Sequence, residues 1–184
     1  MEKMFIGLIR GINVGRAKRV AMANLRALVE DLGYSDVRTL LNSGNIVFTA
    51  AGDAAVNAAV NSATRIEEAL STQLGVSAKV FVITAEELAT VVDDNPLSEF
   101  TSDPSRLLVA FLGNRKDRTQ LETLMEADWM PEVLALGVSV AYLWCPDGVM
   151  ASRLVKAVGR VLGENTTTRN WATVMKLHGL LKSI

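Results

Sequence analysis

The sequence predicts an α+β fold made of two successive βαββαβ units, each with a mainly antiparallel sheet. Short β-rich apolar runs alternate with segments whose apolar residues recur every three or four positions, and turn-forming residues separate them. At 184 residues with 49% hydrophobic side chains, the chain can bury a core without disulfides. In this element order helices cover one face of a sheet, which is the ferredoxin-like arrangement.

The first unit is predicted over residues 1–94. Leu25, Leu28, Val29 and Leu32 share one helical face, and the turn from Asn42 to Asn45 closes a hairpin. The predicted elements are a strand over 4–9, a helix ending at Gly33, strands over 37–41 and 46–48, a helix over 53–75, a strand over 80–83 and a short helix after Thr84. Thr84 and Glu87 have the spacing of a capping box at the start of that last helix.

The second unit is predicted over residues 106–184, after a linker over 95–105 that holds two of the four prolines. Its predicted elements are a strand over 106–112, a helix over 117–127, strand formers over 132–145 interrupted at Gly137, a helix over 154–162, a short strand over 166–169 and a helix from Trp171. The repeated order indicates an internal duplication. Several strands are apolar at nearly every position, so we expect both faces of the sheets to be covered.

The loop after the first strand is the best candidate for a binding site. It carries two glycines, Gly11 and Gly15, before an amphipathic helix. Glycines allow a ligand to approach the backbone, and the first N–H groups of a helix have no partner inside it. The candidate oxyanion partners in this segment are Arg10, Asn13, Arg16, Lys18 and Arg19. The segment has the spacing of neither a Walker loop nor a G-x-G-x-x-G motif.

Topology brings a second group of polar residues to the same edge of the sheet. In a βαββαβ unit the second strand runs parallel to the first, so the hairpin tip lies beside the end of the first strand. Asn42, Ser43 and Asn45 are therefore predicted to join the cations in a site for a small anionic or phosphate-containing ligand. The alternative is a solvated basic loop whose asparagines only satisfy turns.

The start of the last helix supplies two further candidates, Arg169 and Asn170. Asn170 is a suitable N-cap, and Arg169 then projects from a helix N-terminus, where a positive charge has the wrong sign for the helix dipole. An anionic ligand would offset that charge. A buried ion pair beside the cap is the alternative.

Catalytic and metal chemistry have little support in the residue set. The chain has one cysteine, Cys145, and one histidine, His178, and a Cys-His-Asp site with Asp147 would need them to meet in space. No metal-ligand set is present and no cofactor is expected. A hydrolase or transferase acting on an anionic substrate remains an alternative, and so does an interaction module that binds no ligand.

Net charge and aromatic content bear on partners. A net charge of −1 gives no global attraction to nucleic acid or lipid, and only Phe5 and Phe48 could stack bases on the first sheet. We therefore expect no nucleic acid partner. No apolar run approaches the roughly 20 residues of a membrane span, and no cationic leader precedes an apolar core. These observations predict a cytoplasmic protein and leave the oligomeric state open.

Several motifs resemble a known family. They are Arg10-Gly-Ile-Asn-Val-Gly15, Asn42-Ser-Gly-Asn45, Asn95-Pro96, Arg106 to Leu112, Pro146-Asp-Gly148, and Thr168-Arg-Asn-Trp171 with Thr173 and Lys176. Over essentially the whole chain, the sequence resembles the bacterial domain-of-unknown-function family number 1697. The resemblance implies a pair of ferredoxin-like subdomains and no established catalytic role. Leu40-Leu41 departs from the polar or aromatic pair expected before the asparagine-rich turn.

Overall fold

A computed structural model describes residues 2–51 and 55–183, and the chain divides into two units, 1–87 and 88–184. The first unit contains β1 (Glu2–Ile9), α1 (Met22–Asp31), β2 (Ser35–Leu40), β3 (Asn45–Ala51), α2 (Ala55–Leu74), β4 (Val80–Thr84) and the start of α3 (Ala85–Asp93). Its sheet has the order β2-β3-β1-β4, with every neighbouring pair antiparallel. This is the ferredoxin-like arrangement.

The second unit repeats the same topology. It contains β5 (Leu107–Leu112), α4 (Arg115–Glu122), β6 (Val133–Leu136), β7 (Val140–Trp144), α5 (Arg153–Leu162), β8 (Thr166–Asn170) and α6 (Trp171–Leu181). The order β6-β7-β5-β8 is the counterpart of the first sheet, again with antiparallel neighbours. The predicted α+β fold with two ferredoxin-like units is confirmed.

The core of the first unit lies between its sheet and its helices α1 and α2. Phe5 and Ile9 pack there with Leu25 and Leu70. Side chains alternate along a strand, so Ile6 lies on the opposite face, and it is also fully buried. Both faces of β1 are therefore buried, as its continuous apolar sequence predicts.

The two phenylalanines considered as base-stacking residues belong to this core. Phe5 and Phe48 are at most 1% exposed, and their rings stack on each other with centroids 5.7 Å apart. Tyr34 packs against Phe48 on the same side of the sheet. These rings are therefore buried in the hydrophobic core and cannot stack on bases.

The boundary between the units falls inside α3, between Glu87 and Leu88. The segment predicted as a linker, 95–105, belongs to the second unit, where Phe100 stacks on Trp144 with ring centroids 4.6 Å apart. Proline and small polar residues in this segment thus mark an irregular but packed connection. Its composition is typical of a linker, yet its one aromatic side chain is placed against the second sheet.

Several helices begin at local capping signals, whereas α1 begins after Ala21 without a side-chain cap. The predicted capping box is present, since Thr84 Oγ1 accepts the N–H of Glu87 at 3.1 Å and Glu87 Oε2 accepts the N–H of Thr84 at 2.8 Å. The helix predicted over 117–127 instead begins at Arg115, because Asn114 caps it with Asp117 as the reciprocal partner, and it ends at Glu122 before a 3-10 turn. The predicted start of α2 at Asp53 lies outside the described residues.

Candidate functional site

The segment of residues 10–20, named here the cationic loop, contacts the turn of residues 41–44, named here the hairpin turn. Asn13 makes the connection: its Nδ2 donates to Asn42 O at 2.7 Å and to Val20 O at 2.9 Å. Its Oδ1 accepts the N–H of Val20 at 2.8 Å. One amide side chain thus closes the cationic loop and joins it to the hairpin turn, as the topology predicts.

The hairpin turn is shaped for this close approach. Gly44 has a φ of +82°, and a Cβ added there would lie 2.7 Å from Cδ1 of Ile12, which is buried. Asn45 is also fully buried, and its Nδ2 donates to Leu40 O at 2.8 Å and to Ser43 Oγ at 3.0 Å. Gly44 and Asn45 therefore fix the position of the hairpin turn under the cationic loop.

The backbone of the cationic loop exposes donors. Gly11, Asn13 and Gly15 have positive φ values of 69°, 56° and 63°, and Ile12 and Val14 between them do not. Alternating backbone handedness of this kind directs successive N–H groups toward one side and forms anion-binding concavities. In the described part of the chain, no protein group accepts the N–H groups of residues 14–16.

The side chains of the cationic loop are exposed and positively charged. Arg16, Lys18 and Arg19 are exposed, and Arg10 is half-buried. Among the described residues, none of the ion pairs involves these four cations. The sequence over 3–29 contains neither aspartate nor glutamate, so no neighbour along the chain offsets their charge. The cationic loop is therefore a local positive surface on a chain whose net charge is −1.

The predicted site residues of the first unit serve two purposes. The amides of Asn13 and Asn45 are engaged inside the protein, and Ser43 Oγ accepts a hydrogen bond from Asn45. Asn42 is exposed, and its backbone carbonyl accepts the hydrogen bond from Asn13 of the cationic loop. The asparagines Asn13 and Asn45 therefore position the loop and turn, whereas the cations and Asn42 face solvent.

The backbone of Lys79 also contacts the cationic loop. The carbonyl of Lys79 accepts the N–H of Arg10 at 2.8 Å, at the point where the chain enters β4. The Lys79 Nζ lies 6.0 Å from the centroid of the Phe81 ring. No local pattern marks this residue, because its place beside Arg10 follows only from the pairing of β4 with β1.

Arg169 and Asn170 belong to the second unit. Asn170 Oδ1 accepts the N–H of Thr173 at 2.9 Å, which confirms it as the N-cap of α6. Arg169 does not project from the helix start. It lies in β8 and is 8% exposed, and its Nη1 donates to Thr167 Oγ1 at 3.0 Å and to Thr168 O at 2.8 Å. Burial lowers the pKa of its guanidinium to about 10.

Cys145 lies in hydrophobic surroundings, and His178 is half-buried on α6. Cys145 is 1% exposed and packs in the core with Leu143 and Leu154, and burial raises the pKa of its thiol. A raised pKa keeps the thiol protonated, which is unfavourable for a nucleophile.

Over residues 2–51 and 55–183, no cluster of three or more His, Cys, Asp or Glu side chains could hold a metal ion. None of the helices within those ranges is long and apolar enough to span a bilayer.

The chain was compared with curated proteins, with solved structures and with protein families. No curated protein matches the chain. The structure is similar to that of conserved bacterial protein SP0830 from Streptococcus pneumoniae, with a TM-score of 0.79, 24% sequence identity, and coverage of 98% of this chain and 99% of that one. This similarity shows the fold. The family model for the protein of unknown function DUF1697 matches residues 1–142, which include the cationic loop, the hairpin turn and the first unit as a whole. The chain therefore belongs to the DUF1697 family.

Proposed function

We propose that the cationic loop binds a small anionic or phosphate-containing ligand. The observation that carries the proposal is a difference between two units that share one fold. Twelve residues separate Ile9 from Met22 in the first unit, whereas two separate Leu112 from Arg115 in the second. The first unit therefore carries a connection that the ferredoxin-like topology does not require.

The surrounding hydrogen bonds show that the two connections are equivalent. Ile9 N–H donates to Gly44 O at 2.8 Å in the first unit, and Leu112 N–H donates to Ser139 O at 3.1 Å in the second. The next residue of each unit, Arg10 or Gly113, donates its N–H to the residue before the fourth strand, at 2.8 Å in both cases. The two units thus have the same hydrogen bonds at the end of their first strands. Their backbones differ only after Arg10 and Gly113.

The cationic loop has features that favour binding over a purely structural role. Ordering ten additional residues costs conformational entropy, and Asn13 and Lys18 adopt positive φ values of 56° and 51°. Exposed like charges add electrostatic repulsion. An anion held by these cations would offset the repulsion, whereas a structural connection needs no cations at all.

The chemistry of the surface fits a phosphate or another oxyanion. Arg10, Arg16 and Arg19 offer planar forks of N–H donors, and Lys18 offers a compact charge. The backbone N–H groups of residues 14–16 and the Asn42 side chain add neutral donors. Every titratable side chain of the cationic loop is a cation, so the loop can stabilise negative charge but has no carboxylate or imidazole to remove a proton. We therefore propose binding and not catalysis.

The test is the effect of inorganic phosphate and pyrophosphate on thermal unfolding of the full chain, with chloride at matched ionic strength as the reference. A ligand that binds only the folded state raises the unfolding temperature. We expect pyrophosphate at millimolar concentration to raise it. The double variant Arg16→Gln/Arg19→Gln should lose most of that increase, because it removes two charges without altering the backbone.

The matched control is Lys156→Gln/Arg160→Gln, which removes the same charge from exposed positions on α5. This control should respond to pyrophosphate like the natural protein. Equal losses in both double variants would show a non-specific effect of net charge and would contradict the proposal, as would the absence of any shift in the natural protein. Turnover of a phosphorylated substrate that is lost only in Arg16→Gln/Arg19→Gln would favour a hydrolase or transferase over a binding protein.

A further inference from the structure

A cleft of about 550 Å³ lies within the second unit, between the end of α3 and the β6–β7 connection. This volume is in the range of small-molecule sites. Val91, Leu136 and Val140 give it apolar walls, together with the ring of Tyr142. The cleft is separate from the cationic loop, which belongs to the first unit.

The polar groups at the cleft differ in how they are engaged. Arg118 is committed to the protein, because its Nε donates to Gly137 O at 3.0 Å and its Nη1 pairs with Glu122. Tyr142 has a single hydroxyl proton, which it donates to Val91 O at 2.7 Å. Both donors therefore have partners within the second unit.

Asp94 is the exception among the charged groups of the cleft. It is exposed, and no ion pair or side-chain hydrogen bond joins its carboxylate to any residue within 2–51 or 55–183. Its charge acts at the cleft wall, where it contributes with burial to a raised pKa of Tyr142. With Arg118 neutralised by Glu122, the cleft has an apolar body and one uncompensated negative charge.

We propose that this cleft binds a small organic amine, whose apolar body lies against Val91, Leu136 and Val140 and whose ammonium pairs with the Asp94 carboxylate. An ammonium on an apolar skeleton matches both properties of the cleft, because it supplies donors to the carboxylate while its carbon atoms leave water. An anion of the same shape meets the Asp94 carboxylate and is disfavoured by its negative charge.

The experiment compares three probes of nearly equal shape, which are benzylamine, benzyl alcohol and benzoate, on the full chain at neutral pH. Binding is followed through the backbone amide signals of residues 136–140 in ¹H–¹⁵N spectra. We expect benzylamine to bind about three- to fivefold more tightly than benzyl alcohol, as is typical of a partly exposed ion pair. Benzoate should bind more weakly than either.

Asp94→Asn should bring the affinities for benzylamine and benzyl alcohol together while leaving the alcohol's affinity unchanged. Asp93→Asn is the matched control, since Asp93 is an exposed neighbour that does not line the cleft, and it should keep the preference for the amine. Equal affinities in the natural protein, a preference that survives Asp94→Asn, or signal changes confined to residues outside the cleft would each overturn the proposal. Unaltered spectra of both variants without probe would show that they fold.

Discussion

At the scale of single residues, Leu41 has an unfavourable backbone conformation at the surface. Its φ is 59° and the residue is 45% exposed, so a branched apolar residue adopts the left-handed region without the compensation of burial. That region costs most L-residues about 1 kcal/mol or more, and asparagine tolerates it better. We expect Leu41→Asn to raise the free energy of unfolding by about 0.5 to 1 kcal/mol in urea denaturation.

Leu41→Ala is the control for this substitution, because it removes the exposed apolar surface but keeps the backbone penalty. It should change the free energy of unfolding little. If Leu41→Asn were no more stable than Leu41→Ala, the conformation of the hairpin turn would not be a source of strain. Both variants keep the cations of the loop, so they also separate stability from anion binding.

At the scale of elements, the start of α5 depends on a residue far away in the sequence. Glu132 is 9% exposed, and its two carboxylate oxygens accept the N–H groups of Arg153 and Leu154 at 3.0 and 2.7 Å. A carboxylate at this end also interacts favourably with the helix dipole. Glu132→Gln should lower the free energy of unfolding by about 1 to 2 kcal/mol, because it removes the charge and turns an NH₂ group toward a backbone donor.

The matched variant is Glu126→Gln, at an exposed position in the 3-10 turn after α4. It removes one negative charge without a helix-capping contact and should alter stability by less than about 0.5 kcal/mol. Chemical denaturation of the two variants under the same conditions gives the comparison. Similar losses in both would mean that Glu132 acts only through net charge.

At the scale of the whole molecule, alkaline stability should depend on Tyr142. Burial, with the charge of Asp94, raises the pKa of this hydroxyl to about 12 from an ordinary value of 10. The folded protein therefore holds a proton that the unfolded chain releases above pH 10. The stabilisation from this linkage is fully present below pH 10 and is lost as the pH rises from 10 to about 12.

Tyr142→Phe isolates this contribution. At neutral pH the variant should be less stable by about 1 kcal/mol, because the hydrogen bond to Val91 O is lost. From pH 10 to 12 its free energy of unfolding should fall less steeply than that of the natural protein, so the difference between the two should shrink. A difference that stays constant up to pH 12 would contradict a raised pKa of Tyr142.

The sequence by itself determined the element order, the two ferredoxin-like units, the capping box at Thr84 and Glu87, and the membership of the DUF1697 family. These features follow from hydrophobic periodicity and from contacts within a few residues, which are written directly in the chain. The cationic composition of the loop can likewise be read directly from the sequence.

Only the tertiary structure decided how distant groups are used. Tyr142 donates to Val91 O across 51 positions, and Glu132 accepts the N–H of Leu154 across 22 positions. No local pattern marks either pair. The extra length of the cationic loop also became evident only when the two units were compared. The cleft of the second unit, where Asp94 has no ion pair among the described residues, is likewise formed by residues from separate elements. A hydrogen bond or charge pair between remote residues depends on where the sheets place the backbone, and that placement is set by the packing of the whole unit.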